Sequence, residues 1–150
     1  MMLHAMHFGA IPVDELATIE FPEGLPGFES CRRFVPLESA GGPGLIFLQS
    51  LEQPQLCFIT LPLRSLWPDY ELAISAEERD LLGLDPDQTP GPRDLILLAI
   101  LSFTEGQDPT ANLLAPVVIH AGTRRAVQVV RQDGRYPIQA PLPVGEMSCS

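Results

Sequence analysis

The chain has no lysine: its nine basic residues are all arginine, and 19 acids set against them give a formal net charge of −10. Phosphate contacts need a concentrated basic surface, so this balance argues against direct nucleic-acid binding. Long apolar runs are also missing. A membrane-spanning helix needs about 20 apolar residues, and the longest candidate, Leu95 to Leu101, falls far short; no membrane association is expected. The three cysteines, Cys31, Cys57 and Cys149, show no C-x-x-C spacing, and the N-terminus lacks the basic, apolar and small-residue order of a signal peptide. A reducing, cytoplasmic location is therefore expected. Cys57, inside the apolar run Leu56-Cys-Phe-Ile59, is expected to pack as a small hydrophobe, and Cys149 to be exposed.

Reactive signatures are absent too. Ser50, Ser65 and Ser102 sit in no G-x-S-x-G elbow, no glycine-rich phosphate loop precedes a helix, and Gly41-Gly-Pro-Gly44 fits a hairpin loop. His4, His7 and His120 are three imidazoles, but the first pair has no adjacent cysteine and only Asp14 as a nearby acid. No metal, no cofactor and no catalytic residue is expected from these patterns. One alternative stays open: Asp69 and Glu71, two apart in Trp67-Pro-Asp-Tyr-Glu71, would share a face of a strand and serve a small ligand-binding barrel or enzyme.

What the chain does have is punctuation. Sixteen prolines and twelve glycines cut 150 residues into short apolar runs, the pattern of several short strands joined by turns in one β-dominated domain. The expected strands are Leu3 to Phe8, Ala10 to Val13, Thr18 to Phe21, Arg33 to Leu37, Leu45 to Gln49, Leu56 to Leu61, Tyr70 to Ile74, Leu95 to Ser102, Pro116 to His120 and Ala126 to Arg131. Leu95 to Leu101 lacks alternation, so it belongs in the middle of the sheet with both faces buried. One helix is expected after Ser75-Ala-Glu-Glu78, a capping box with Gly83 as its left-handed stop. Glu38 to Gly44 reads as a flexible loop, and residues 141–150 as a mobile tail beyond a domain spanning 1–140. Charge is uneven as well. From Leu66 to Pro90 seven acids oppose Arg79, a net of −6, whereas four arginines oppose Asp133 between Arg124 and Arg135, a net of +3.

The most informative stretch is Phe21-Pro-Glu-Gly-Leu-Pro-Gly-Phe-Glu29. Proline presets φ and glycine permits φ above zero, so two successive turns are expected, Pro22 to Gly24 and Pro26 to Gly27, presenting Phe21, Leu25 and Phe28 in fixed directions. Such a loop suits protein recognition; it would equally serve to close a barrel. Among the aromatics, Tyr70 between two acids is the expected interface residue and Trp67 is at least as well explained by core packing. In Thr110-Ala-Asn-Leu-Leu-Ala-Pro116, Asn112 is placed to tie down a turn through nearby backbone groups.

Taken together, the Phe21 to Glu29 run, Leu48-Gln-Ser50, Pro68-Asp-Tyr-Glu71, the Thr110 to Pro116 run, Gln128-Val-Val130 and Tyr136-Pro137 resemble the FliW family of flagellar assembly factors in order and spacing. The resemblance implies a mainly β fold, a small, strongly bent, barrel-like single domain with one short helix. It also implies a non-enzymatic cytoplasmic regulator, expected to be a monomer, that binds flagellin and binds and antagonises CsrA, the RNA-binding repressor of flagellin translation. Phe21, Leu25, Phe28, Glu29, Asp69, Tyr70, Glu71 and Asn112 are then the expected partner-binding residues. The chain departs from the family pattern at His120, where asparagine is usual, at Gln139, where a basic residue is common, and in using arginine throughout.

Overall fold

A run of consecutive apolar residues in a strand is satisfied by burying both faces, and the middle of Leu95–Ser102 is built that way: Leu97, Leu98, Ala99 and Leu101 are buried, while Ile96, expected to be buried too, is 43% exposed near the start of the strand. In the computed structural model, which describes residues 2–5, 9–12, 18–25, 27–38, 45–85, 94–130 and 135–142, this strand is the hub. The elements run β1 (Met2–Ala5), β2 (Gly9–Pro12), β3 (Ile19–Glu20), β4 (Arg33–Glu38), β5 (Ile46–Ser50), β6 (Cys57–Pro62), α1 (Leu63–Leu66), α2 (Ala76–Leu82), β7 (Leu95–Ser102), β8 (Thr110–Ala111), β9 (Val117–His120), β10 (Arg125–Gln128) and β11 (Ala140–Pro141). β7 pairs with β6 along Leu98 to Ile100 and with β9 along Leu95 to Leu98, and the order β6-β5-β4-β3-β10-β9 closes a seven-strand barrel. Beyond the ring, β8 and β11 continue the sheet from the far end of β7, and β1 and β2 form a separate hairpin. Closure leaves little free edge.

Successive residues of β7 feed two different cores. Leu98 points into the barrel with Phe21, Phe34, Leu48, Val117, Ile119 and Ala126. Leu97, Ala99 and Leu101 point outward and pack with Leu61, Leu63, Tyr70, Leu82, Leu113 and Val118 beneath the helices and the C-terminal strands. Each fully buried Leu or Phe contributes about 1.5–3 kcal/mol, so the outer layer stabilises the fold as the barrel interior does. β9 follows the same rule, with Val117 and Ile119 inside and Val118 outside.

The expected helix is present with its caps: Ser75 Oγ accepts the Glu78 N–H at 3.1 Å, Glu78 Oε1 accepts the Ser75 N–H at 2.8 Å, and Gly83 closes α2 in the left-handed region. A second helix, α1, corrects the expectation of a single one. It is one turn with no side-chain cap, held by the complete burial of Leu63. Tyr70 to Ile74, expected as a strand, is irregular chain; its alternation arises because Tyr70 is buried and Leu72 and Ile74 lean on the outer core. Two strands went unforeseen, β8 and β11, each of two residues. β10 ends at Gln128 rather than Arg131. Pro141 pairs with Thr110 and Leu142 is buried, so the packed domain runs past residue 140. The Glu38 to Gly44 loop beyond Glu38 itself, His7, Cys149 and the tail from 143 lie outside the described residues.

Candidate partner-binding site

The Phe21 to Glu29 loop is fixed by its own backbone. Phe21 N–H donates to the Arg32 carbonyl at 2.7 Å, and three successive turns follow: Gly24 N–H to Phe21 O at 2.9 Å, Phe28 N–H to Leu25 O at 2.7 Å, and Cys31 N–H to Phe28 O at 2.9 Å. Two turns were expected; the third folds the chain back towards β4. Gly24 has φ +72°, and a Cβ there would stand 2.6 Å from both Cα and the carbonyl oxygen of Glu29, so no side chain fits. Gly27, at φ +86°, precedes Phe28 in the turn closed by the Leu25 carbonyl, a left-handed backbone that glycine adopts without strain. Its N–H donates to Glu29 Oε2 at 2.6 Å, and Glu29 is itself exposed.

This frame sorts the loop's apolar residues. Phe21 and Leu25 are buried, at 0% and 2% exposure, and belong to the barrel interior. Phe28 stands at the surface, 38% exposed, with its ring edge-on to Phe58 at 5.7 Å. Phe58 lies 6.0 Å from Phe34, and Phe34 lies 5.3 Å from Phe21. A continuous aromatic row therefore runs from the core to the loop tip, and Phe28 is its outward end.

The Trp67 to Glu71 segment is arranged the opposite way. Tyr70, expected at an interface, is only 4% exposed; its hydroxyl donates to the Leu113 carbonyl at 2.7 Å and its ring stacks on Tyr136 at 4.2 Å. Burial of Tyr70 is what turns Asp69 and Glu71 out to solvent. Tyr136 Oη accepts the Glu71 N–H at 3.1 Å, and Arg135 Nη1 pairs with Glu71 Oε2 while its guanidinium lies 5.6 Å from the Tyr136 ring centroid. Trp67 is half-buried against the outer core. Asn112, half-buried, accepts the Ala115 N–H at 3.0 Å through Oδ1 and donates its own N–H to Ile100 O at 2.9 Å. Leu113 N–H donates to Pro137 O at 3.1 Å. Three separated motifs, Pro68 to Glu71, Thr110 to Pro116 and Tyr136-Pro137, thus meet in one knot on the outer core.

The Leu48-Gln-Ser50 motif has a local structural task that sequence reasoning missed. Gln49 is fully buried, and its Nε2 donates to the carbonyls of Ser50, Pro54 and Leu56, while Ser50 Oγ accepts the N–H groups of Glu52 and Gln53. A glutamine directly after the apolar run Leu45 to Leu48 of a strand was the available signal. His120 is buried, with Nδ1 3.0 Å from the Leu82 carbonyl that ends α2 and 3.1 Å from Thr123 Oγ1. Among the described residues no three His, Cys, Asp or Glu side chains gather as metal ligands. Burial raises the pKa of the half-buried Cys57 thiol, which disfavours the thiolate. No helix among the described residues is long and apolar enough to cross a membrane.

A closed seven-strand barrel carrying a preorganised loop with an aromatic tip defines the class of protein. The family model for FliW protein matches residues 2–142. A flagellar assembly factor FliW from Syntrophotalea carbinolica is 34% identical over 136 residues, covering 91% of this chain and 94% of the relative. The one from Bacillus subtilis is 31% identical over 150 residues, covering 99% and 100%. A crystal structure of the flagellar assembly factor FliW superimposes with a TM-score of 0.84 at 29% identity, covering 95% of this chain and 98% of that one. The chain belongs to the FliW family of flagellar assembly factors.

Proposed function

We propose that this protein binds flagellin in the cytoplasm and also binds and antagonises CsrA, so that the level of free flagellin sets flagellin translation. When flagellin accumulates it occupies the protein and CsrA is free to repress; when flagellin is exported, CsrA is sequestered and translation resumes. Such a switch requires each partner to lower the other's affinity, through a shared surface or coupled sites. The observation that carries the reading is family membership across residues 2–142, joined to a loop whose turns hold Phe28 outward.

The residues take distinct parts. Phe28 supplies the apolar anchor for flagellin's terminal helices, with Glu29 beside it, and buried Phe21 and Leu25 fix the direction in which it points. Asp69 and Glu71, with the exposed acids Glu77, Asp80 and Asp85, form a negative face that repels RNA from CsrA bound alongside. Screening, with a Debye length of about 8 Å at physiological salt, confines that effect to acids close to the RNA path. Tyr70 and Asn112 act by holding the knot that presents these acids. The alternative use of Asp69 and Glu71 in a ligand cleft finds no support in the geometry, since Glu71 is paired with Arg135 and both are exposed.

Calorimetric titration of the protein with purified flagellin and purified CsrA, separately and then together, tests the proposal. Binding to each alone, with each weakening the other, is the expected result. A protein that ignores both partners, or binds both without mutual effect, contradicts it.

A further inference from the structure

The barrel has one weak seam, between β3 and β10. The two strands lie side by side for a single residue pair, Glu20 with Arg125, while β10 runs on to Gln128. The reason is in the sequence. Glu20 N–H donates to the Arg124 carbonyl at 2.9 Å, and the position two residues on, past the end of β3, is Pro22, which has no N–H to give. Pro22 also opens the turn that carries the chain off. On its other side β10 stays paired: Val129 N–H donates to Pro116 O at 2.9 Å, facing β9. By the two-residue alternation of a strand, the Ala126 carbonyl and both main-chain groups of Gln128 face the side that β3 has left.

That edge opens onto a cleft of 290 Å³ between Glu23, Gly24 and Glu29 of the loop and Ala126 to Gln128 of β10, with Leu81 of α2 beside them. Its loop wall carries two exposed carboxylates, Glu23 and Glu29. Among the described residues no ion pair engages Glu23 or Glu29, and Arg125 stands opposite Glu20 at the closed end. An unpaired strand edge beside uncompensated acids calls for an extended chain that brings its own main-chain hydrogen bonds and a positive charge.

We propose that β10 accepts an added strand at this seam: an extended, arginine- or lysine-bearing segment of a protein partner that hydrogen-bonds to Ala126 and Gln128 and sets its cation against Glu23 and Glu29. The proposal needs neither flagellin nor CsrA, and its test uses neither. The ¹⁵N-labelled protein is titrated with a capped peptide of alternating arginine and valine, and in parallel with its glutamate-valine counterpart. The expected result is that the arginine peptide shifts the Gln128 amide and slows its hydrogen exchange, with further shifts from Glu23 to Glu29, while the glutamate peptide does neither. Gln128→Pro removes the cleft-facing main-chain donor and leaves the main-chain ladder to β9, at the further loss of the Gln128 Nε2 bond to the Ala115 carbonyl at 3.0 Å; it should weaken binding about tenfold, the loss of one good hydrogen bond. Glu23→Lys, at an exposed position, should weaken it about threefold and keeps the test valid if the proline variant melts early. Unchanged exchange at Gln128, equal binding of the two peptides, or full affinity in a folded Glu23→Lys variant would overturn the proposal.

Discussion

The Phe21 to Glu29 loop and the Trp67 to Glu71 segment use similar material, prolines, aromatics and acids, to opposite ends. In the loop, main-chain turns spend the glycines and prolines on rigidity, and one aromatic is left facing water: Phe28, 38% exposed. In the segment, the aromatic goes inward, tied by its hydroxyl to Leu113 O, and the flanking acids are left outside. The lesson is that an aromatic beside acids does not mark an interface by itself. What decides is whether a buried acceptor waits for the hydroxyl.

Substitutions can break this contrast, the largest effect coming first. Leu25→Asp places a carboxylate in the barrel interior, where Leu25 is 2% exposed, and should cost about 4 kcal/mol or more; heat denaturation should find the variant largely unfolded. A stable, folded variant would mean that the loop swings free of the barrel. Gly24→Ala must fit a Cβ 2.6 Å from Glu29 backbone at φ +72°, at a cost of about 3 kcal/mol. A melting temperature lower by about 10 °C is expected. Tyr70→Phe removes only the hydroxyl and leaves the buried Leu113 carbonyl without it, so a loss of about 1–2 kcal/mol is expected, with partner affinity unchanged. Weakened binding at an unchanged melting temperature would instead make Tyr70 a contact residue.

The smallest effect on stability sharpens the other half of the contrast. Glu71 and Arg135 have side chains 65% and 52% exposed, and exposed pairs of this kind contribute about 0.5 kcal/mol. Asp69→Lys with Glu71→Lys should therefore melt almost as the parent does, yet reduce inhibition of RNA binding by CsrA in a filter assay at low salt. Undiminished inhibition would remove the acidic face from the mechanism.

Much of the fold could be read locally. The capping box at Ser75 and the turns at Gly24 and Gly27 each depend on neighbours within a few residues, and sequence spacing carries that information; the unbroken apolar run of β7 signalled its central place, though Ile96 is exposed. The rest depends on distant partners. Tyr70 looked like a surface residue because its acceptor, Leu113, lies 43 residues away. Tyr70 to Ile74 imitated a strand because burial against the outer core can alternate without a ladder. α1 has no capping side chain and exists only because Leu63 is buried, while two-residue strands such as β8 and β11 are too short to show a period. In the Phe21 to Glu29 loop, the sequence indicated the turns but not which of its three apolar residues faces out. That was settled by the Phe21, Phe34 and Phe58 rings behind it.

The central claim is that this loop is a rigid platform for Phe28 as a flagellin anchor, and one paired measurement on Phe28→Ala tests it most directly: a flagellin binding isotherm beside a melting curve of the same sample. Because Phe28 is exposed and loses only an edge-on contact with Phe58, the cost in stability should stay near about 1 kcal/mol, while flagellin affinity falls at least about tenfold. Flagellin bound as tightly by the folded variant as by the parent would contradict the claim.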